Sequence, residues 1–192
     1  IFYDRESEIR EEIGAKIADT NGLTIIKPYD AMETIYGQGT VALEAIKQTP
    51  NVFDIALICA GGGGLTAGCS IVFKHHNPNI QIFTTEPEEW NDQERSYASG
   101  TIQTAPASAS GLCDGLLTPE PGEIPFSINL ALGIQGLSCE EQYIFEAMQL
   151  AKEAFAVELE PSGAIALANL IKHKDKFQEK KVFLTFSGGN VD

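Results

Sequence analysis

Ile55-Ala56-Leu57-Ile58-Cys59-Ala60-Gly61-Gly62-Gly63-Gly64-Leu65-Thr66-Ala67 is the stretch that decides the fold class. Its first five residues are apolar without alternation, the pattern of a strand covered on both faces of a parallel sheet. Four glycines then remove every side chain where the chain must turn. Leu65 to His76 has the apolar spacing of a helix, and Asn77-Pro78 closes it. Ile80 to Thr85 reads as the next strand. Strand, helix and strand in this order make one βαβ unit with a right-handed crossover.

Reading outward from this unit, Glu6 to Thr20 is an amphipathic helix with Ile9, Ile13 and Ile17 on one face, ended by Asn21-Gly22. Leu23-Thr24-Ile25-Ile26 is expected to be a short buried strand, stopped by Pro28. Gly37-Gln38-Gly39-Thr40 reads as a turn into a helix from Val41 to Gln48. Gly100 to Pro125 is rich in loop-forming residues. Ser138-Cys139-Glu140-Glu141 has the spacing of a capping box and opens a helix running to about Phe155. Glu160-Pro161-Ser162-Gly163 starts another, to about Lys172, with Ser162 as its simplest cap. Val182 to Phe186 is a final buried strand. Strands alternating with helices predict an α/β fold, a twisted parallel sheet with helices on both faces.

The chain has 192 residues, 43% hydrophobic and 21% charged, enough to bury a core. Thirteen basic against 27 acidic residues give a net charge of -14. Such a surface repels phosphate backbones and anionic lipid, so neither nucleic acid nor a membrane is an expected partner. No apolar run reaches the roughly 18 residues of a spanning helix, no signal peptide is visible, and a cytoplasmic location is the expectation. Cys59, Cys69, Cys113 and Cys139 form no CxxC and read as small buried hydrophobes in a reducing compartment. His75, His76 and His173 fall near helix C-termini and read as surface residues. The opening Ile1-Phe2-Tyr3 resembles the middle of a strand, and Ser187-Gly188-Gly189-Asn190 follows one directly, so both ends read as cut. An edge strand left by such a cut predicts self-association or a companion segment.

The four glycines carry the strongest chemical signal. Unpaired N–H groups in the first turn of the following helix, with the positive end of its dipole, form a phosphate site. Which phosphate is open on spacing alone. Gly62, Gly64 and Ala67 also fit G-x-G-x-x-A, and Glu86 stands where a ribose-binding acid would, the arrangement of a nicotinamide dehydrogenase. Glu86 and Asp92 lie six apart around a turn, and with the Trp90 carbonyl between them could hold Mg²⁺ or Ca²⁺; a solvated acidic loop is the plain alternative. Ser187, at the carboxyl end of the last strand, could hydrogen-bond a ring nitrogen.

These segments together resemble the serine/threonine dehydratase and serine racemase family of fold-type II pyridoxal-phosphate enzymes. The residues that carry the likeness are Lys27-Pro28-Tyr29-Asp30, Gly37-Gln38-Gly39-Thr40, Gly61 to Gly64, Glu86-Pro87, Ala109-Ser110-Gly111-Leu112-Cys113-Asp114-Gly115, Glu160-Pro161-Ser162-Gly163 and Ser187-Gly188-Gly189-Asn190. Tyr3-Asp4-Arg5 and the run from Glu86-Pro87 to Asn91-Asp92 are most like the serine racemase and hydroxyaspartate dehydratase branch. The likeness implies a tryptophan-synthase-β-like fold truncated at its N-terminus. Residues 1–28 would end a small domain and 29–192 would form most of the large cofactor-binding one.

It further implies that Gly61, Gly62, Gly63, Gly64 and the Leu65 N–H cradle the phosphate of pyridoxal 5'-phosphate. Ser187 would meet the pyridine nitrogen, Tyr29 and Glu160 would line the ring's surroundings, and Glu86, Trp90 and Asp92 would bind Mg²⁺ or Ca²⁺. The family's Schiff-base lysine sits in a Ser-Phe-Lys segment that does not occur in these 192 residues, so no catalytic residue is assigned in this chain. The implied activity is that of a lyase acting on a β-hydroxy amino acid, giving a keto acid and ammonia, or a racemase, with a small amino acid as substrate and a homodimer or a companion N-terminal segment completing the fold. The rival readings are the nicotinamide dehydrogenase and a non-catalytic remnant of the fold.

Overall fold

The computed structural model describes residues 2, 3, 8, 10–50, 52–106 and 111–191. Ile1, Asp4-Arg5, Glu6, Ile9, Ala109 and Ser110, named above, lie outside the described residues. Among the described residues four parallel strands, β1 (Ile55–Cys59), β2 (Gln81–Pro87), β3 (Gln135–Cys139) and β4 (Val182–Leu184), are ordered β3-β2-β1-β4. β1 is buried along its whole length, as its unbroken apolar run requires. Leu57 faces Phe83 of β2 on one side and Leu184 of β4 on the other. Among the described residues seven α-helices accompany the strands: α1 (Arg10–Asn21), α2 (Met32–Gln48), α3 (Gly64–His76), α4 (Asp92–Ser99), α5 (Glu123–Ala131), α6 (Glu141–Phe155) and α7 (Pro161–Lys172).

The helices cover both faces of the sheet, as predicted. α2 and α3 join Ala56, Ile58 and Ile82 in one apolar cluster, in which Phe73 packs edge-on against Phe53 and Phe183. On the opposite face α7 is buried from Ser162 to Asn169, and with α6 it packs around Ile144, Ile165 and Ala168. All four cysteines are free and buried, in line with the composition. No helix of the described residues is long and apolar enough to cross a membrane.

Six local expectations are corrected. Gly37 to Thr40 is not a turn, because α2 runs through it without a break. Gly39 is instead where α2 crosses α3. A Cβ on Gly39 would stand 2.9 Å from the Gly68 carbonyl oxygen, and one on Gly68 would stand 2.5 Å from the Gly39 nitrogen. Leu23 to Ile26 is not a strand, since no neighbour pairs with it among the described residues; Leu23 is 61% and Ile26 83% exposed. Ser138 does not cap α6. It lies in β3, its hydroxyl donates to Glu94 Oε2 at 2.6 Å, and Glu140 takes the capping position without a side-chain hydrogen bond to the helix's N–H groups. Ser162 does not cap α7 either; Pro161 is its first residue, and the Ser162 hydroxyl accepts the Gly115 N–H at 3.0 Å. β4 is half-buried rather than buried, at the edge of the sheet. His173 is likewise half-buried, its Nε2 lying 3.1 Å from the Ser138 carbonyl, whereas His75 and His76 are exposed.

α5, within a stretch that sequence reading leaves as loop up to Pro125, starts where Asp30 Oδ1 accepts the Ile124 N–H at 3.0 Å. A side chain 94 positions away thus does the work of a local cap.

Candidate functional site

The carboxyl ends of β1, β2 and β4 and the amino ends of α3 and α7 gather the functional residues along one rim of the sheet. This is where open α/β sheets bind ligands. The glycine bend forms its centre, and each glycine has its own reason. Gly63 caps α3 at a φ of 87°, in the left-handed region. A Cβ on Gly61 would meet Thr118 Oγ1 at 2.9 Å. Gly62 and Gly64 lie under Tyr29: a Cβ on Gly62 would fall on the Tyr29 ring, and one on Gly64 would stand 2.9 Å from the Tyr29 Cα. Sequence reading assigns these glycines to ligand access. The structure adds that Tyr29 already fills the space beside two of them.

The carbonyls of the bend are taken. Gly61 O accepts from Gln93 Nε2 at 2.6 Å, Gly62 O from the Gly122 N–H at 3.0 Å, and Gly63 O from the Ala67 N–H at 2.9 Å. The N–H groups of Gly64, Leu65 and Thr66 stand in the first turn of α3, ahead of any carbonyl that could accept them within the helix. They and the positive end of the helix dipole favour an anion.

Ser187 follows β4, the strand beside β1, at whose end Cys59 stands. Burial raises the Cys59 thiol above the usual thiol range, and hydrogen bonds with Ser187 and Thr185 draw it partly back. Glu160 holds the loop after Ser187: its Oε2 accepts the Asn190 N–H at 3.0 Å, and its own N–H donates to the Gly188 carbonyl at 3.1 Å. Ser187, Glu160, Tyr29 and Gly61 to Gly64 are therefore neighbours along one rim, joined through the end of β1 and the 187–190 loop.

Glu86 and Asp92 flank the start of α4. Glu86 is 1% exposed, and its Oε1 and Oε2 accept the N–H groups of Gln93 and Glu94, each at 2.9 Å. The carboxylate thus caps α4 from the preceding strand. Burial, with the charge of Asp92 beside it, pushes Glu86 well above the ordinary carboxylate range. Burial pushes Asp92 up to about 7, and its Oδ2 has no hydrogen-bond partner among the described residues. Trp90, half-buried, lies between them. No group of three or more His, Cys, Asp or Glu placed to hold a metal occurs among the described residues, so a cation here would rest on two carboxylates and a carbonyl. The geometry speaks against the nicotinamide reading, because Glu86 is buried and turned toward α4, too enclosed for a group as large as a ribose, although each of its oxygens keeps a lone pair that a small cation could use.

Sequence reading misses Gln93, Tyr97 and Asn129. The Tyr97 hydroxyl donates to Gln93 Oε1 at 2.5 Å, and Asn129 Nδ2 donates to the Tyr97 oxygen at 3.0 Å. The available signal is the spacing of Gln93 and Tyr97, four apart on one helix face directly after Asp92.

A model of the family described as pyridoxal-phosphate dependent enzymes matches residues 1–188. Serine racemase of Schizosaccharomyces pombe is 32% identical over 192 residues, which is 100% of this chain and 59% of that protein. The L-threo-3-hydroxyaspartate ammonia-lyase of Saccharomyces cerevisiae is 34% identical over the same length, 58% of that protein. The solved structure of maize serine racemase superposes with a TM-score of 0.91 at 32% identity, covering all of this chain and 59% of the other. The chain thus spans somewhat under three-fifths of the length of these relatives. With the glycine bend and Ser187 on the same rim of a parallel sheet, the match over nearly all of its residues makes this chain a member of the pyridoxal-phosphate dependent enzyme family, with the fold of its fold-type II members.

Proposed function

We propose that this chain forms the phosphate-binding and ring-binding side of a pyridoxal-phosphate-dependent enzyme for β-hydroxy amino acids, with the Schiff-base lysine supplied from outside these 192 residues. On this reading residues 1–28 end a small domain and 29–192 form most of the large one. The observation that carries the reading is the bend itself: backbone N–H groups at the amino end of α3, which follows β1, one strand over from Ser187 beyond the end of β4. The cofactor supplies an electron-accepting ring that eases loss of the Cα proton. The chain's own residues bind and orient it. Gly61 to Leu65 hold the phosphate through main-chain N–H groups. Ser187 meets the ring nitrogen as a neutral hydrogen-bonding partner, which leaves that nitrogen largely unprotonated and suits departure of a β-hydroxyl. Glu160 keeps the Ser187 loop in place, and Tyr29 closes the bend toward solvent.

Net elimination removes water across Cα–Cβ, and water returns to release ammonia and a keto acid. Racemisation is the alternative fate of the same Cα. The names of the relatives support both, serine racemase on one hand and hydroxyaspartate ammonia-lyase on the other. Glu86, Asp92 and the Trp90 carbonyl would hold Mg²⁺ or Ca²⁺. The unpartnered Asp92 Oδ2 and the raised Glu86 fit a missing positive charge.

The test is the protein from its complete reading frame, supplied with pyridoxal phosphate and with L-serine, L-threonine or L-threo-3-hydroxyaspartate. Keto acid or inverted amino acid from at least one of them is expected. Neither product from any of the three would overturn the reading.

A further inference from the structure

We propose that Gln93 is a positioning residue that aims the N–H groups of the glycine bend; this rests on the reading of the bend as a phosphate cradle. Gln93 is fully buried and has no contact with solvent. Its main-chain N–H is fixed by Glu86 Oε1 at 2.9 Å, and its side chain reaches back to the Gly61 carbonyl at 2.6 Å. A carbonyl can only accept, so the NH₂ of Gln93 must face Gly61 and its Oε1 must face Tyr97. The Tyr97 hydroxyl then has to donate to Oε1, and Asn129 has to present its NH₂ to the Tyr97 oxygen. Every proton in the chain points one way, from Asn129 through Tyr97 and Gln93 to Gly61. Bonds in such a row polarise one another.

The consequence lies in the peptide planes. In a planar trans peptide the C=O and the N–H that follows it point in opposite directions. Gln93 draws the Gly61 carbonyl toward itself, so the Gly62 N–H points away from Gln93. The Gly122 N–H draws the Gly62 carbonyl at 3.0 Å, so the Gly63 N–H points away from Gly122. Glycines rotate freely unless held. Here two successive planes are held by their oxygens, which leaves their N–H groups fixed for an anion instead of averaged over many directions. Gln93 also lies within 3.1 Å of where a Gly63 Cβ would stand, so the bend rests on its side chain as well as bonding to it.

The experiment compares dissociation constants of pyridoxal phosphate and pyridoxal, which differ in the phosphate alone, for the purified protein and for the Gln93→Leu and Tyr97→Phe variants. Exchange of the Gly61–Leu65 amides with deuterium is followed in parallel. Gln93→Leu is expected to weaken pyridoxal phosphate about tenfold, the scale of one buried hydrogen bond, and Tyr97→Phe about threefold, with pyridoxal unchanged in both. The bend amides should exchange faster in both variants. Tyr97→Phe deletes a single oxygen, so it carries the test should Gln93→Leu fail to fold. Loss of affinity for both ligands alike, or for neither, would show Gln93 to be ordinary core and overturn the proposal. An unmodified protein that prefers pyridoxal phosphate no more than pyridoxal would overturn the cradle itself, and the proposal with it.

Discussion

Replacing Gly68 by alanine adds one methyl group where α2 and α3 touch. That Cβ would stand 2.5 Å from the Gly39 nitrogen and closer still to the Ile35 carbonyl oxygen, whereas ordinary contact begins at 3.4 Å. Both neighbours are helix backbone and cannot rotate aside, so the helices must part by at least about 0.9 Å, the shortfall at the Gly39 nitrogen. Overpacking of this kind costs about 1–3 kcal/mol, and a backbone clash belongs at the upper end. Alanine regains about 1 kcal/mol of helix propensity over glycine. The net loss is about 2 kcal/mol, or a fall of about 4–8 °C in Tm for a chain of this size. Gly37→Ala is the control. It makes the same chemical change in α2 at an exposed position with nothing within 4 Å of the new Cβ. It should gain up to about 1 kcal/mol and raise Tm by about 2–4 °C. Thermal unfolding followed by circular dichroism at one protein concentration reads both. The reasoning fails if the two substitutions shift Tm in the same direction, and a fall for Gly37→Ala alone would restore the turn that sequence reading places there.

Glu86→Ala removes the acceptor of two N–H groups at the start of α4 and should cost about 1–3 kcal/mol in chelator; a larger Tm loss in Mg²⁺ is expected, and equal losses would make the carboxylate a helix cap alone. Asp30→Ala should destabilise by about 1 kcal/mol through the uncapped Ile124 N–H, seen as a lower urea midpoint with unchanged slope. Ser162→Ala leaves the Gly115 N–H without its acceptor and should cost about 1 kcal/mol, whereas Ser162→Thr should recover most of it. Borohydride treatment of the 192-residue chain with pyridoxal phosphate should trap no lysine selectively; a single modified peptide by mass spectrometry would contradict the assignment of the Schiff-base lysine to another segment.

The β1–glycine–α3–β2 unit was legible because every signal in it is local. An unbroken apolar run, a break and a helical period follow one another within about 30 residues. The positions of Ser187 after the last strand and of Glu160 before a helix were legible for a similar reason. What escaped was decided at a distance. Gly37 and Gly39 look alike in sequence, yet one faces solvent and the other faces the backbone of a second helix. Ser138 has the spacing of a cap, but Glu94, 44 positions away, takes its hydroxyl. Leu23 to Ile26 has strand composition and no strand beside it among the described residues. Gln93 gave no signal of its own, because its role depends on Gly61, 32 positions before it.

β4 has a neighbour on one side only among the described residues, so the amides and carbonyls of its other side have no strand partner there, and the chain carries an exposed ring pair, Phe155 and Phe186. Two forces then compete over solubility. The naked border invites a second strand, while fourteen excess negative charges push like molecules apart. Salt weakens the repulsion and leaves the border untouched. A buffer chosen to quiet electrostatics is therefore the one most apt to glue these molecules together.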